Sequence, residues 1–221
     1  MNHYSIAIDG PAASGKSTAA KGVSKALGFL YVDTGAMYRA FTLEMIRLGL
    51  NTKSPEDAHK ALAGFRLKED REGKIYLNGE DVTSRVREMD VSSQVSYACA
   101  HPEVRTQLVS LQQQMATEDS VVMDGRDIGT VVLPNATLKI YMVASVEARA
   151  QRRFAENKER GITSTYEDIL KDIQGRDYLD SHRKTSPLRQ SPDAILLDTS
   201  NLSIPEVIDK ILKLFNEKRG Q

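Results

Sequence analysis

The sequence predicts an α/β fold with a doubly wound parallel sheet of about five strands, on the strength of three observations. Short apolar runs recur along the chain, and they are continuous rather than alternating, as is typical of strands covered on both faces. Helical stretches separate these runs, so right-handed crossovers are expected. Most runs end in an acidic residue, where a turn can begin. The predicted strands are Ser5–Asp9, Phe29–Asp33, Val121–Asp124, Leu138–Ala144 and Ala194–Asp198.

Glycines mark the ends of the first two predicted helices. Gly28 and Gly49 each follow an apolar-periodic stretch, which is the usual place of a C-terminal helix cap. The predicted helices are Thr18–Leu27, Met37–Leu48, Val104–Met115, Val146–Arg160, Tyr166–Leu179 and Pro205–Phe215.

One segment departs from this alternation of strands and helices. Residues 65–69 and 74–78 alternate between apolar and polar side chains, and the turn-forming residues 70–73 separate them. This pattern predicts a β-hairpin, with Asn78-Gly79 as a second turn. Such a hairpin is an insertion into the α/β core, and the pattern alone does not decide whether it has a function.

Charge and cysteine content exclude several classes of protein. The chain has 30 basic and 30 acidic residues, so it has no general positive field for a nucleic-acid polymer or an anionic membrane. Cys99 is the only cysteine, which excludes an internal disulfide and fits a reducing compartment. The N-terminal residues do not have the pattern of a signal peptide, and no apolar run is long enough to span a membrane. We expect a cytoplasmic protein that is a monomer.

A phosphate-binding motif lies between the first strand and the first helix. Residues 10–17 match G-x-x-x-x-G-K-[ST] at every fixed position. Glycines let backbone N–H groups surround phosphate oxygens, and the following helix adds the positive end of its dipole. Lys16 is then expected to bridge the β- and γ-phosphates of ATP, with Ser17 as a ligand of Mg²⁺. The residues predicted to bind ATP are Gly10, Pro11, Ala12, Ala13, Ser14, Gly15, Lys16, Ser17 and Thr18.

Two aspartates are candidates for a second contact to the metal ion. Asp124 and Asp33 each end a predicted strand, where ligands of α/β proteins bind. We expect one of them to contact Mg²⁺, through water or directly. The alternative is that each carboxylate only caps a helix or forms a turn.

The motif does not identify the molecule that accepts the phosphoryl group. Other classes of P-loop protein can be excluded by the features that this sequence lacks. The single Asn-Lys pair, Asn157-Lys158, is not followed by the aspartate with which a GTPase recognises guanine. A helicase or motor needs a longer chain and a basic track for its polymer. A small-molecule kinase remains.

Three further motifs make the prediction more specific. They are Asp33-Thr34-Gly35-Ala36-Met37-Tyr38-Arg39, Asp124-Gly125-Arg126-Asp127-Ile128-Gly129-Thr130, and Gly175-Arg176-Asp177 with Asp180, Arg183 and Ser186-Pro187-Leu188. Together, and in this order, they resemble the bacterial cytidylate kinases, a family of nucleoside monophosphate kinases. The resemblance covers nearly the whole chain, although Ala12-Ala13-Ser14 lacks a glycine that some relatives have before Gly15.

The resemblance implies a division of the single kinase domain, residues 1–221. The core comprises residues 1–35, 116–148 and 184–221, and an insertion at about 36–115 binds the monophosphate. This insertion includes the hairpin near 65–78. A helical lid covers about 149–165, and a helix at about 166–183 contacts the acceptor.

The resemblance also implies roles for particular side chains. Arg39, Arg126 and Arg183 would hold the acceptor phosphate, for which the planar guanidinium group is well suited. Arg176 and Asp180 would contact the sugar, and Asp33, Thr34 and Tyr38 belong to the same substrate site. For cytosine, Asp127 is the expected acceptor facing N4, with Arg105 and Ser96 on the donor side.

The charge-rich stretch 149–161 is the predicted lid. Arg153 and Arg160 are our candidates for arginines that reach the transferring phosphoryl group, with Lys16 and Arg126 as the other catalytic residues. The stretch would also fit an ordinary solvated helix.

The predicted reaction is phosphorylation of CMP, and of dCMP, by ATP. Because the acceptor is itself a phosphate anion, no general base is required. Two alternatives stay open at this stage: a kinase for adenylate, uridylate or shikimate, and a non-catalytic protein that binds ATP.

Overall fold

Helices and strands alternate along most of the chain in the computed structural model, which describes residues 3–159 and 161–220. The first half contains β1 (Ser5–Asp9), α1 (Lys16–Leu27), β2 (Leu30–Asp33), α2 (Thr34–Arg47), α3 (Pro55–Leu62), β3 (Leu67–Glu69), β4 (Ile75–Leu77), β5 (Glu80–Asp81), α4 (Met89–Ser92), α5 (Val95–Ala98) and α6 (Pro102–Glu118). The second half contains β6 (Val121–Gly125), β7 (Leu138–Val143), α7 (Val146–Glu159), α8 (Tyr166–His182), β8 (Ile195–Asp198) and α9 (Ile204–Arg219).

A parallel sheet of five strands lies at the centre, in the order β2-β6-β1-β7-β8. Strand β1 is central, with Ile6 aligned to Val122 of β6 on one side and to Leu138 of β7 on the other. The predicted α/β class with a parallel sheet of about five strands is therefore confirmed.

The two faces of the sheet pack against different helices. On one face, Ile6 and Ile8 share an apolar core with side chains of α1 and α9. On the other face, Ala7 and Met123 share a larger core with α2, α6 and the inserted segment. Both faces are covered, and this is why the strands are apolar throughout.

The inserted segment contains the predicted hairpin and one strand more. Strands β3 and β4 pair antiparallel, and β5 pairs with β4 to complete a three-stranded sheet. Asn78 and Gly79 form the second turn, with φ values of 51° and 90°, as this Asn-Gly pair predicts.

Helix α2 begins earlier than the apolar pattern predicts. It starts at Thr34 rather than Met37, because the Asp33 carboxylate accepts a hydrogen bond from the backbone N–H of Ala36 at 2.8 Å. Because of this cap, α2 begins directly after the last residue of β2.

None of the helices in the described part of the chain has the length and apolar character that a membrane span requires.

Candidate active site

A cavity of about 920 Å³ opens at the carboxyl ends of the central strands. Its walls come from the loop after β1, from α2 and α6, and from the two helices α7 and α8. The predicted site residues that line it are Ala12, Ala13, Ser14, Gly15, Lys16, Ser17, Thr18, Asp33, Thr34, Tyr38, Arg39, Ser96, Arg105, Asp124, Arg126, Asp127, Arg153, Arg176, Asp180 and Arg183. Gly10 and Pro11 lie outside the lining, and Arg160 lies outside the described residues.

The phosphate-binding loop, residues 10–17, packs tightly against the sheet. A Cβ atom at Gly10 would lie 2.0 Å from the carbonyl oxygen of Met142, so only glycine fits there. Gly15 caps α1 with a left-handed φ of 89°. Ala13 also has a positive φ, 58°, which is uncommon for a residue with a side chain. Residues 12–18 of the loop and the start of α1 line the cavity, and the N-terminus of a helix there favours an anion.

Lys16 is buried, and its ammonium group contacts the loop itself. The Nζ atom donates to the carbonyl oxygen of Pro11 at 2.7 Å and to Ser14 Oγ at 3.2 Å. Burial, together with the charge of Arg126, lowers the pKa of Lys16 to about 7. An anion bound at the loop would favour the protonated form.

Asp124 lies at the floor of the cavity and connects α1 to β2. Its Oδ2 atom accepts from Ser17 Oγ at 2.8 Å, and its Oδ1 atom accepts from the hydroxyl of Tyr31 at 2.7 Å. Burial and the neighbouring Asp33 raise the pKa of Asp124. A nearby cation would stabilise the ionised form of this buried carboxylate.

Asp33 has different partners. Its Oδ2 atom accepts from Arg87 at 2.8 Å, and its Oδ1 atom lies 3.4 Å from Arg39. Although burial acts in the opposite direction, Arg39 and Arg87 hold the pKa of Asp33 below its usual range. Sequence reasoning missed Arg87, which follows no motif and comes to Asp33 only through the folding of the inserted segment.

Three arginines, Arg39, Arg126 and Arg176, form what we call the arginine cluster. Arg126 donates from Nε to Asp180 at 2.7 Å. The Nε atoms of Arg39 and Arg176 are buried and have no hydrogen-bond partner within the described part of the chain. Burial lowers the pKa of Arg176, and the charges of Arg126, Arg39 and Arg153 lower it further on balance, although Asp180 opposes them. Buried donors with net positive charge create a strong preference for an anion in the cavity.

Asp180 pairs with Arg126 rather than with Arg176, the neighbour one helical turn earlier. Helix α8 does continue through residue 182, as the spacing of Arg176, Asp180 and Arg183 requires for a common face. Arg126 holds the pKa of Asp180 below its usual range despite burial.

A buried ion-pair group lies at the inner end of the cavity. Asp127 pairs with Arg105, and Arg183 Nη2 lies 3.5 Å from the same carboxylate. The ring of Tyr38 lies 5.2 Å from the guanidinium carbon of Arg105. Asp127 and Arg105 are only 4% and 3% exposed, so their orientation is fixed by packing.

Asp9 positions the turn that carries Arg126 and Asp127. Its carboxylate accepts from the backbone N–H groups of Ile128 and Gly129 at 2.8 and 2.7 Å. Burial raises the pKa of Asp9 to about 6. Sequence reasoning placed Asp9 only at the end of a strand, since a single aspartate before a glycine has no distinctive pattern.

The arginines of the predicted lid lie in different environments. Arg149 is buried and donates to the carbonyl oxygens of Ala144 and Ala12, both at 3.0 Å. Arg152 is half-buried and donates to Thr199. Arg153 lines the cavity and pairs with Glu156 at 3.1 Å. Beside Arg152, the cavity is closed by Leu202, Ser203 and Ile204, which no motif indicated.

A parallel sheet, a phosphate-binding loop before its first helix, and an arginine-rich cavity facing that loop define the class of P-loop phosphotransferases that act on small anionic molecules. Comparison with known protein families is more specific. Residues 6–217 match the family described as cytidylate kinase. The chain therefore belongs to the cytidylate kinase family. Members of this family are phosphotransferases with a phosphate group as acceptor.

Individual relatives agree with this assignment. The chain is 51% identical over 212 residues to a cytidylate kinase of Streptococcus gordonii, with 94% of each chain covered. It is 48% identical over 226 residues to a cytidylate kinase of Geobacillus sp., with 99% of each covered. The predicted family, and with it the prediction of a nucleotide kinase that phosphorylates CMP, are confirmed.

Solved structures of low sequence identity show the same fold. A protein from Eubacterium ventriosum has a TM-score of 0.55 at 11% identity, with 98% of this chain and 99% of that chain covered. The protein TT1252 from Thermus thermophilus has a TM-score of 0.51 at 19% identity, with 99% of this chain and 98% of that chain covered.

Proposed function

We propose that this enzyme transfers the γ-phosphoryl group of ATP to CMP and dCMP in the cavity between the phosphate-binding loop and the arginine cluster. The observation that carries the proposal is the arrangement of two separate anion sites facing one cavity. One site consists of backbone N–H groups and Lys16, and the other consists of buried guanidinium groups with unpartnered donors. Two phosphorylated molecules that react with each other require two such sites.

The donor site is proposed at residues 10–18, with Lys16 on the β- and γ-phosphates. Lys16 lines the cavity and donates to Pro11 and Ser14 of the loop, so its ammonium group already lies at the proposed phosphate site. Stabilisation of charge on the transferring group is the main contribution expected of it. The donor base is proposed to lie beside Arg152, Leu202 and Ile204.

The residues beside the loop fit a magnesium ion. Ser17 Oγ and an Asp124 oxygen lie 2.8 Å apart, and both are hard oxygen ligands of the kind that Mg²⁺ prefers. Asp33 fits less well, because Arg39, Arg87 and the N–H of Ala36 already use both of its oxygens. In this proposal Ser17 and Asp124 hold the ion, with water and phosphate oxygens as its other ligands. The ion would supply positive charge at the β- and γ-phosphates.

The acceptor phosphate is proposed to bind Arg39, Arg126 and Arg183, and the sugar to bind Arg176 and Asp180. The buried Nε donors of Arg39 and Arg176 support this assignment, because an incoming phosphate or sugar oxygen would satisfy them. Asp180 holds Arg126 at 2.7 Å, which positions that guanidinium before the substrate binds. Since Arg176 lies in the field of Arg126 and Arg39, it can also contribute to the phosphate.

Asp127, Arg105 and Ser96 are proposed to read the cytosine base, and Thr34 and Tyr38 line the same part of the cavity. Cytosine presents an N4–H₂ donor beside its N3 and O2 acceptors, whereas uracil presents the opposite polarity at O4 and N3. The Asp127 carboxylate, held by Arg105 and Arg183, still has lone pairs available for N4–H₂. Arg105 keeps a buried Nε–H without a partner in the described chain, which supports its role as a donor.

The transfer step then depends on position and charge. The acceptor oxygen is already anionic, so the residues of the cavity need only align it with the γ-phosphoryl group and neutralise developing charge. Arg126 lies between the two sites, since it interacts with both Lys16 and Asp180. Arg153 and Arg160 are proposed to add positive charge from the lid when it excludes water.

Cytoplasmic location and a monomeric state remain predictions from the sequence.

An acceptor panel tests this function. The purified enzyme is given ATP and Mg²⁺ with CMP, dCMP, UMP, AMP or shikimate, and ADP formation is measured. We expect CMP to give the highest kcat/KM, and dCMP the next. Equal rates with CMP and AMP, or ATP binding without turnover for every acceptor, would contradict the proposal.

A further inference from the structure

An ion pair between α7 and α8 encloses one peptide unit of the phosphate-binding loop. Asp177 Oδ1 accepts from the backbone N–H of Ala12 at 3.3 Å. Arg149 Nη1 donates to the carbonyl oxygen of the same residue at 3.0 Å. The two side chains also pair with each other at 2.7 Å. Ala12 is therefore held on both its backbone N–H and its backbone C=O by side chains from two other helices.

The next residue of the loop is attached to the same two helices by apolar contact. The Ala13 methyl group packs against a small cluster in which Ala150 of α7 and Ile169 and Ile173 of α8 are buried. Ala13 has a φ of 58°, a conformation that an alanine keeps only where its surroundings hold it. Two consecutive loop residues thus depend on α7 and α8 for their position, by independent contacts.

These helices also carry side chains of the arginine-rich side of the cavity. Asp177 directly follows Arg176 of the arginine cluster. Arg149 lies one helical turn before Arg153, on the same face of α7. Arg149 is anchored at its base as well, because its Nε atom donates to the carbonyl oxygen of Ala144 at the end of β7. The pair, in which Arg149 is buried and Asp177 is half-buried, therefore connects three parts of the site: the loop, the lid helix and the acceptor helix.

We infer that Asp177 and Arg149 are positioning residues that set the conformation of the phosphate-binding loop for the donor nucleotide. This inference rests on the proposed donor site at that loop. An ion pair is by itself weak evidence for stability. The specific effect of this pair is on the conformation of the loop. Loss of one partner would release the Ala12 peptide unit, and the loop N–H groups proposed to bind the phosphates would no longer be held in place. Among the described residues, none of the proposed acceptor side chains has a hydrogen bond with Ala12, so the larger effect is expected on the donor.

The test measures KM for ATP and for CMP separately in Asp177→Asn. We expect KM for ATP to rise about tenfold, the size of a lost charge-assisted contact, while KM for CMP stays within about twofold. Arg149→Lys keeps a positive charge but cannot reach Asp177, Ala12 and Ala144 together, so we expect a change in the same direction. This second variant replaces the first if Asp177→Asn does not fold.

A matched control is available in a second ion pair with a buried cation. Lys139 and Asp193 lie 2.8 Å apart, with the lysine side chain 6% exposed, compared with 4% for Arg149. Asp193→Asn breaks that pair without touching the loop, and we expect both KM values to stay unchanged. If Asp177→Asn raises the two KM values equally, or neither of them, the pair is only structural and the inference is wrong.

The same experiment separates this inference from the donor site itself. If Lys16→Ala keeps wild-type turnover, the loop is not the donor site, and the proposed function fails at that point. If Lys16→Ala is inactive while Asp177→Asn and Arg149→Lys have wild-type KM values for ATP, the donor site stands and only the positioning role is rejected.

Discussion

The two proposed anion sites of the cavity are built in opposite ways. The phosphate-binding loop is a single stretch of chain whose groups are mainly backbone N–H groups, and its one cation, Lys16, is held by the loop itself. The arginine cluster is assembled from α2, the turn after β6, and α8, and Asp33 and Asp180 hold two of its arginines in place. The difference shows that local backbone geometry can prepare a phosphate site, whereas side-chain cations need partners supplied by the tertiary fold.

The two sites also differ in their electrostatic cost. Lys16 is a single ammonium group with carboxylates nearby, and its pKa of about 7 allows it to lose its proton. The arginine cluster keeps its charge, because guanidinium groups do not lose their protons in proteins. Like charges therefore remain close together until an anion binds, and the pKa values of Arg39 and Arg176 are lowered by burial.

The largest effect is expected for Lys16→Ala, which removes the only side-chain cation of the donor loop. Turnover is expected to fall by about 10³-fold or more, since charge on the transferring phosphoryl group loses its main partner. Stability is not expected to fall, because the lowered pKa of Lys16 shows that burial makes its charged form unfavourable in the folded protein. Steady-state kinetics and thermal unfolding of the same preparation check both statements. Wild-type turnover would contradict the assignment of the donor site.

The lid arginines provide the next test, because they are proposed to act on the transition state rather than on either substrate. We expect the double variant Arg153→Ala, Arg160→Ala to lower the single-turnover rate by about 10²–10³-fold, with a modest change in CMP affinity. Lys158→Ala, an exposed charge on the same helix, is the matched control. An unchanged single-turnover rate would show that the two arginines are ordinary surface charges.

Glu69 tests the contact between the inserted segment and the end of β2, beside the cavity residue Asp33. Its Oε1 atom accepts from the Asp33 N–H at 3.3 Å, and its Oε2 atom is buried without a partner in the described chain. Burial raises the pKa of Glu69 from 4.5 to about 8. The unfolded chain loses this proton near pH 4.5 and the folded chain only near pH 8, so the contribution to stability is complete below pH 4.5 and disappears by pH 8.

Glu69→Gln is expected to remove this pH dependence. Relative to the wild type, its free energy of unfolding rises by about 2–4 kcal/mol between pH 4.5 and pH 8.5, which chemical denaturation at several pH values measures. Glu72→Gln changes an exposed carboxylate of the same hairpin and is expected to show no such trend. Parallel pH profiles for wild type and Glu69→Gln would contradict the buried, protonated state.

The smallest effect is expected at the base-reading end of the cavity. An unpaired buried group costs about 1–3 kcal/mol, so the wild type is expected to prefer CMP over UMP by more than about tenfold. Asp127→Ala is expected to reduce this preference, chiefly by impairing CMP, while ATP binding persists. The ratio of kcat/KM for the two acceptors measures it. A variant that retains the full ratio would show that Asp127 is not the base reader.

Much of the fold, and the loop of the proposed donor site, could be predicted from short stretches of chain. The five strands follow from continuous apolar runs, and the loop before α1 follows from the spacing of Gly10, Gly15 and Lys16. Apolar periodicity places the start of helix α2 three residues too late, because that start depends on a side-chain cap by Asp33. The residues of the acceptor side are indicated only through a family resemblance, since no local pattern distinguishes a phosphate-binding arginine from a solvated one.

The sequence by itself determined the fold class, the phosphate-binding loop and the family, because each depends on residues close together in the chain or on motifs kept in order. Only the tertiary structure decided which groups the charged side chains pair with. Asp33 pairs with Arg87, Asp180 pairs with Arg126 rather than Arg176, and Arg149 is buried against Ala12 instead of lying on a solvated lid. A charged side chain pairs with whichever opposite charge lies close to it in space, and the sequence does not give these distances. The fold selects one partner by excluding water and bringing distant segments together.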